Sequence, residues 1–227
     1  MSTGIEIGPR HQKENLCIPC LHGAQHKHIS RVPRIPTTHK LEIVHIDIKG
    51  PCGSDVHGFR YWVNFLCEKT RFNRGYALQL CSEIFRAYLA FEAVAERESN
   101  SRVLALMMDG GQENLSNDWR THCVNKGIQI RTTAPYSPEM NGMAEHLIRV
   151  LVEHTSAMLW DAELPIAFWA AAMSTANFLR NRSPTKALDG ITPYEAWYGR
   201  RPNLRFIRIF RCKAMVHTPK EIRSKTD

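Results

Sequence analysis

Three carboxylates, Asp47, Asp109 and Glu145, have the residue type and spacing to do chemistry together. Asp47 interrupts the apolar stretch LEIVHIDIKG, and an unpaired carboxylate buried in a strand costs on the order of several kcal/mol, so such a residue has a partner or a task. Asp109 ends the apolar run VLALMM and precedes Gly110 and Gly111. Ligands gather at the carboxyl ends of strands in α/β sheets, and glycines there let the backbone turn tightly. Glu145 comes 36 positions after Asp109, near the start of a long helical pattern. Each has an ordinary alternative: a basic partner for Asp47, a turn for Asp109, an ion pair with Arg149 one helical turn on for Glu145. Together they offer hard oxygen ligands of the kind Mg²⁺ prefers. Two such ions, about 3.5–4 Å apart, suit phosphodiester cleavage and joining.

The elements that must position these groups can be read from hydrophobic periodicity. A strand begins at Leu41 and places Ile43, His45 and Asp47 on one face, with Val44, Ile46 and Ile48 on the other. Strands near Tyr61–Leu66 and Gly75–Leu80 complete an antiparallel meander. Ser82 is placed to cap a helix running to about Glu98. Residues 103–108 form a short buried strand, followed by a helix over Asp118–Lys126 that stops at Gly127, and then the strand IQIRT. The loop APYSPEMNG leads into a helix over about Met143–Trp160. Helices at Pro165–Asn181 and Pro193–Tyr198 follow. The order β-β-β-α-β-α-β-α, then more helix, predicts an α/β domain: a mixed five-stranded sheet with helices on both faces.

The chain has 227 residues, of which 43% are hydrophobic and 23% charged, which fits a globular domain with a core of its own. No apolar run is long enough to span a bilayer, so no membrane partner is expected. The polar opening MSTGIEIGPRHQKEN holds no signal-peptide core, and seven cysteines read as free thiols of a reducing compartment. Charge divides the chain in three. Residues 1–40 carry a net +4, residues 41–199 a net −3 and residues 200–227 a net +7. An acidic middle between basic ends fits a metal-binding core flanked by arms that touch phosphate; charged, solvated tails are the alternative.

Longer strings carry a resemblance. VHIDIKGP surrounds Asp47, KTRF spans 69–72, MDGGQEN surrounds Asp109 and TAPYSPEMNGMAEH surrounds Glu145. Downstream lie LPIAFWAAAMSTANFLRNRSPTKAL, TPYEAWYGRRP and IRIFRC. In this order they resemble the integrase of copia-type long-terminal-repeat retrotransposons, a relative of retroviral integrases, over about residues 16–217. The resemblance implies a ribonuclease H-like fold and a triad of Asp47, Asp109 and Glu145 that binds two Mg²⁺ or Mn²⁺ ions. It implies DNA integration: a polynucleotidyl transferase processes the 3′ ends of element DNA and joins them into a target duplex. Water attacks in processing, and the DNA 3′-hydroxyl attacks in joining. It further implies a homo-oligomer acting in the nucleus, with cytoplasmic particles where an active element is present, and a chain cut from a longer polyprotein.

The departures from the family pattern cluster around the triad. The usual Glu-Arg-x-Asn-Arg reads Glu145-His146-Leu147-Ile148-Arg149. Met107-Met108 replaces Arg-Ser, Cys67-Glu68 replaces an acidic pair, and Arg211 replaces a glycine. Two readings therefore stand: an active integrase, or a decayed or domesticated nucleic-acid-binding module of the same fold. A nuclease for RNA–DNA hybrids is a third that the fold would support.

Residues 1–40 read as a basic remnant of a zinc-binding module, residues 41–199 as the catalytic core and residues 200–227 as a truncated basic segment. Cys17 and Cys20 have zinc-ligand spacing, but the histidine half of such a module is missing, and a complete Zn²⁺ site is not expected. Cys52, Cys67, Cys81, Cys123 and Cys212 read as packing residues. So do the aromatics Trp160, Phe168, Trp169, Phe178, Trp197 and Tyr198. His45 and His146 flank the triad and read as structural histidines. By charge density, Arg200, Arg201, Arg205, Arg208, Arg211 and Lys213 are the expected contacts to the DNA backbone, with Asn141 a further DNA contact that the resemblance suggests.

Overall fold

The computed structural model describes residues 36–108, 116–132 and 142–214. Five strands form one sheet: β1 (Ile43–Lys49), β2 (Tyr61–Cys67), β3 (Asn73–Leu78), β4 (Ala105–Met108) and β5 (Gln129–Thr132), in the order β3-β2-β1-β4-β5. β1, β2 and β3 pair antiparallel, while β4 and β5 add parallel to β1. The parallel half needs crossovers, which helices α1 (Ile84–Ser99) and α2 (Asn117–Lys126) supply. Then come α3 (Gly142–Asp161), α4 (Trp169–Arg182) and α5 (Pro193–Tyr198). This is the mixed sheet expected from the sequence.

Side chains alternate along β1 and β2, and each face builds its own core. Val44, Ile46, Val63 and Phe65 meet Tyr88 and Phe91 of α1, Trp119 of α2 and Trp197 of α5. On the other face, Trp62 and Leu66 meet Leu147, Ile148 and Leu151 of α3 and Trp169, Ala172 and Met173 of α4. The stripe Ala144, Leu147, Ile148, Leu151, Thr155, Leu159 is what buries one side of α3.

Local chemistry sets the ends. Ser116 caps α2 by accepting from the Trp119 amide, and Gly127 ends it at φ 68°. Thr192 caps α5 in the same way, with Pro193 in its first turn. The start of α1 departs from expectation. The Glu83 carboxylate, not Ser82, accepts from the Gln79 and Leu80 amides, at 2.9 and 3.1 Å. It pulls the chain out of the sheet, so β3 ends at Leu78 and a 3₁₀ turn over Cys81–Glu83 precedes the helix.

Four packing expectations need correction, those for Trp160, Phe178, Cys81 and Cys212. Trp169 and Trp197 are buried, but Trp160 is 88% exposed, because it sits one residue past the buried stripe of α3. Phe178 is also exposed and lies under the Arg182 guanidinium, 3.5 Å from its ring centre. Of the cysteines, Cys67 and Cys123 are buried, Cys52 is half-buried, and Cys81 and Cys212 face solvent. Among the described residues no helix is long and apolar enough to cross a membrane.

Candidate active site

Asp47 lies in the second half of β1, half-buried, on the face that packs against α3. Its Oδ1 accepts the Ile48 amide at 2.8 Å. Parallel pairing sets Ile46 opposite Met108, so the residue before Asp47 is level with the residue before Asp109 in the sequence. Asp109 itself lies outside the described residues. Glu145 stands exposed in the first turn of α3, beside the buried Ala144. That helix packs on β1 and β2, which sets the helix carrying Glu145 over the strand carrying Asp47. Carboxylate oxygens are hard donors, and the set fits Mg²⁺ or Mn²⁺ in kind. Among the described residues no three His, Cys, Asp or Glu are grouped to hold a metal, and Asp109 is not one of them.

His45 is fully buried and its Nε2 lies 2.7 Å from Glu68 Oε2, which ties β1 to the turn after β2. That agrees with a structural histidine. Arg71 Nη1 reaches Met143 Sδ on the first turn of α3. Burial pulls the Arg71 guanidinium below its ordinary value, against an opposing pull from Glu68. His146 is exposed. Ile148 is buried in the core beneath α3.

Arg200, Arg201, Arg205, Arg208, Arg211 and Lys213 all face solvent after α5. Arg201 lies 3.7 Å from Glu195 and Arg211 3.8 Å from Glu163, while Arg208 donates to the carbonyls of Arg205 and Ile207. Asn141, Cys17 and Cys20 lie outside the described residues. An apolar groove along Leu159, Trp160, Leu164 and Ile166 is lined by neither Asp47 nor Glu145.

Sequence reading missed one residue on the same face. Asn64 is the cross-strand partner of Asp47, is fully buried, and accepts the Trp62 indole N–H at 3.1 Å. A lone amide in the apolar strand YWVNFLC was the available signal. Reading it required the hairpin register, which hydrophobic alternation alone does not give.

No family model matches the chain. Its curated relatives include the retrovirus-related Pol polyproteins of three plant transposons. That of transposon TNT 1-94 of Nicotiana tabacum is 33% identical over 93% of this chain and 16% of its own length. Those of RE2 and RE1 of Arabidopsis thaliana are 28% and 29% identical over 91% of this chain and 14% of their own lengths. The chain thus spans about a sixth of these proteins. Among solved structures it is similar to a chain of the simian T-cell lymphotropic virus intasome bound to a PP2A regulatory subunit, with TM-score 0.57 and 17% identity, covering 80% of this chain and 61% of that one. It is also similar to the catalytic core domain of BIV integrase, with TM-score 0.50 and 20% identity, covering 70% of this chain and 94% of that one. The chain is a homologue of one segment of copia-type retrotransposon Pol polyproteins, with the ribonuclease H-like fold of integrase catalytic cores.

Proposed function

We propose that the chain acts in DNA integration, as a polynucleotidyl transferase that processes retroelement 3′ ends and joins them into a target duplex. The observation that carries this is the parallel pairing of Ile46 with Met108, taken with the packing of α3 on β1. The pairing puts β1 beside β4 at the residues that precede Asp47 and Asp109 in the sequence, and the helix whose first turn carries Glu145 packs on β1, which supports this reading. On this reading Asp47, Asp109 and Glu145 hold two Mg²⁺ or Mn²⁺ ions. Such ions, when bound, stabilise the attacking and leaving oxygens of an in-line displacement at phosphorus. The carboxylates are ligands and not nucleophiles. Water is the attacking group in processing, and the 3′-hydroxyl so exposed attacks in joining. The exposed Arg200–Lys213 segment supplies cations that release counterions from the DNA backbone, and Asn141 is a further DNA contact. The working form is a homo-oligomer in the nucleus, where its duplex substrate is.

A second reading is a catalytically silent DNA-binding module. Ile148 favours it: the position that carries a polar Asn in the family pattern is here packed into the core. The two readings separate on labelled duplex DNA with Mg²⁺ or Mn²⁺. We expect metal-dependent nicking and strand transfer by the unaltered chain, both lost in Asp109→Asn. DNA binding without any product would establish the silent module instead.

A further inference from the structure

The polar groups beneath α3 do not end at the carboxylates. β1, β2 and β3 bring Asp47, Asn64 and Gly75 into one row across the sheet. Asn64 is fully buried in the middle of it. Its Oδ1 accepts the Trp62 Nε1–H at 3.1 Å. An indole nitrogen can only donate, so this bond fixes which end of the amide is oxygen.

Gly75 fixes where that oxygen lies. The Trp62 ring occupies the space a side chain on Gly75 would need, and a Cβ there would stand 2.9 Å from Asn64 Oδ1. The oxygen is therefore on the β3 side. The amide group is planar, so Nδ2 is turned the other way, toward β1. The neighbour on that side and face is Asp47, at a separation typical of opposed side chains, about 4.5–5.5 Å between Cβ atoms. Nδ2 is buried and has no hydrogen-bond partner. A carboxylate is the strongest acceptor a buried amide can meet, and the terminal torsion of Asp is soft.

We propose that Asn64 is a positioning residue for Asp47: its Nδ2–H donates to the Asp47 carboxylate and sets the direction in which that carboxylate meets a divalent cation. A rotation about the soft Asp47 torsion closes the bond, driven by the cost of leaving a buried N–H unpaired. Trp62 holds the amide in this orientation, and Gly75 makes room for Trp62. The orienting role rests on the reading of Asp47 as a metal ligand; the contact between the two side chains does not.

Two measurements on the full chain test it. The first is metal-free: the side-chain amide resonances of Asn64 in ¹⁵N-labelled protein, compared with Asp47→Ala. A displacement larger than that of any other side-chain amide is expected, and unmoved resonances would overturn the proposal. The second is Mn²⁺ affinity by electron paramagnetic resonance. Asn64→Leu should weaken it roughly tenfold, the scale seen when a group that orients a metal ligand is removed. Trp62→Phe, which keeps an aromatic ring but loses the N–H, should weaken it less. It serves alone if Asn64→Leu does not fold. A lowered melting temperature with unchanged Mn²⁺ affinity in both variants would make Asn64 purely structural and overturn the proposal. If the unaltered chain binds no Mn²⁺ through Asp47, the metal reading fails and the orienting role with it. The resonance comparison then still decides whether the contact exists.

Discussion

The two faces of the sheet are built on different principles. Beneath α1, α2 and α5 the contacts are aromatic: Phe65 stacks on Phe91 at 4.8 Å, Tyr88 on Trp119 at 5.1 Å and Phe72 on Trp197 at 5.0 Å. Most polar groups on that face sit at its margin and are paired, as His122 is with Glu92 and Glu98 is with Arg74. Beneath α3 and α4 the core is aliphatic, with Trp62 and Trp169, and polar residues enter the sheet itself: His45, Asp47 and Asn64. Both faces are packed cores, but the second also carries polar side chains within the sheet. The difference teaches that aromatic packing and buried polar groups can be separated by the pleat of a single strand, since Ile46 and Asp47 are neighbours in the chain and serve opposite faces.

The contrast can be broken by mutation. Phe65→Ala, on the aromatic face, should cost about 3–5 kcal/mol of stability through the cavity it leaves. Denaturant unfolding would show this, and Mn²⁺ affinity in the folded fraction should not change. A large loss of Mn²⁺ binding would mean the faces are not independent. Gly75→Ala is the converse test. The added methyl meets the Trp62 ring and Asn64 Oδ1, and overpacking of this kind costs about 1–3 kcal/mol. Here both the unfolding midpoint and Mn²⁺ affinity should fall; an effect on stability alone would leave the polar row without a functional meaning.

The smallest effect expected is on pH dependence. Burial pushes the Glu98 carboxyl up, but hydrogen bonds from Arg74, Trp197 and Tyr198 outweigh it and hold the group below its ordinary value. A carboxyl depressed in the folded state binds its proton more readily when unfolded. Its contribution is therefore present above the ordinary Glu range, near about 4.3, and is lost as pH falls through the lower folded value. Glu98→Gln should flatten that acid limb of the stability curve, read by thermal unfolding between neutral and acid pH. The limb should keep its slope in Asn64→Leu, which removes no titrating group.

Much of the scaffold was legible in sequence because periodicity reports burial. The alternation of LEIVHIDIKG separates Val44 and Ile46 from His45 and Asp47, and the structure keeps that division. Gly127 and Pro193 mark helix ends by backbone geometry alone and stand where they were expected. Errors arose where two local signals competed. Ser82 looked like a cap, but the reach of Glu83 back to two amides won. Trp160 looked like core, yet one helical position carries it off the buried stripe. The carboxylates were visible as types, through Asp47 in its apolar strand. Asn64 was not, because its meaning comes from Asp47 and Gly75 on other strands.

The six consecutive pairs between β1 and β2 have a consequence for how such a sequence can change length over generations. An in-frame codon lost within Val44–Asp47 would turn the rest of the strand over, exchanging the aliphatic and acidic sides at a stroke. A codon lost between Pro51 and Arg60 would be absorbed by the connecting loop, leaving Asp47 opposite Asn64. Copying errors are thus filtered unequally along a few dozen nucleotides, and the places where related elements differ in length should fall in the loop and spare the strand.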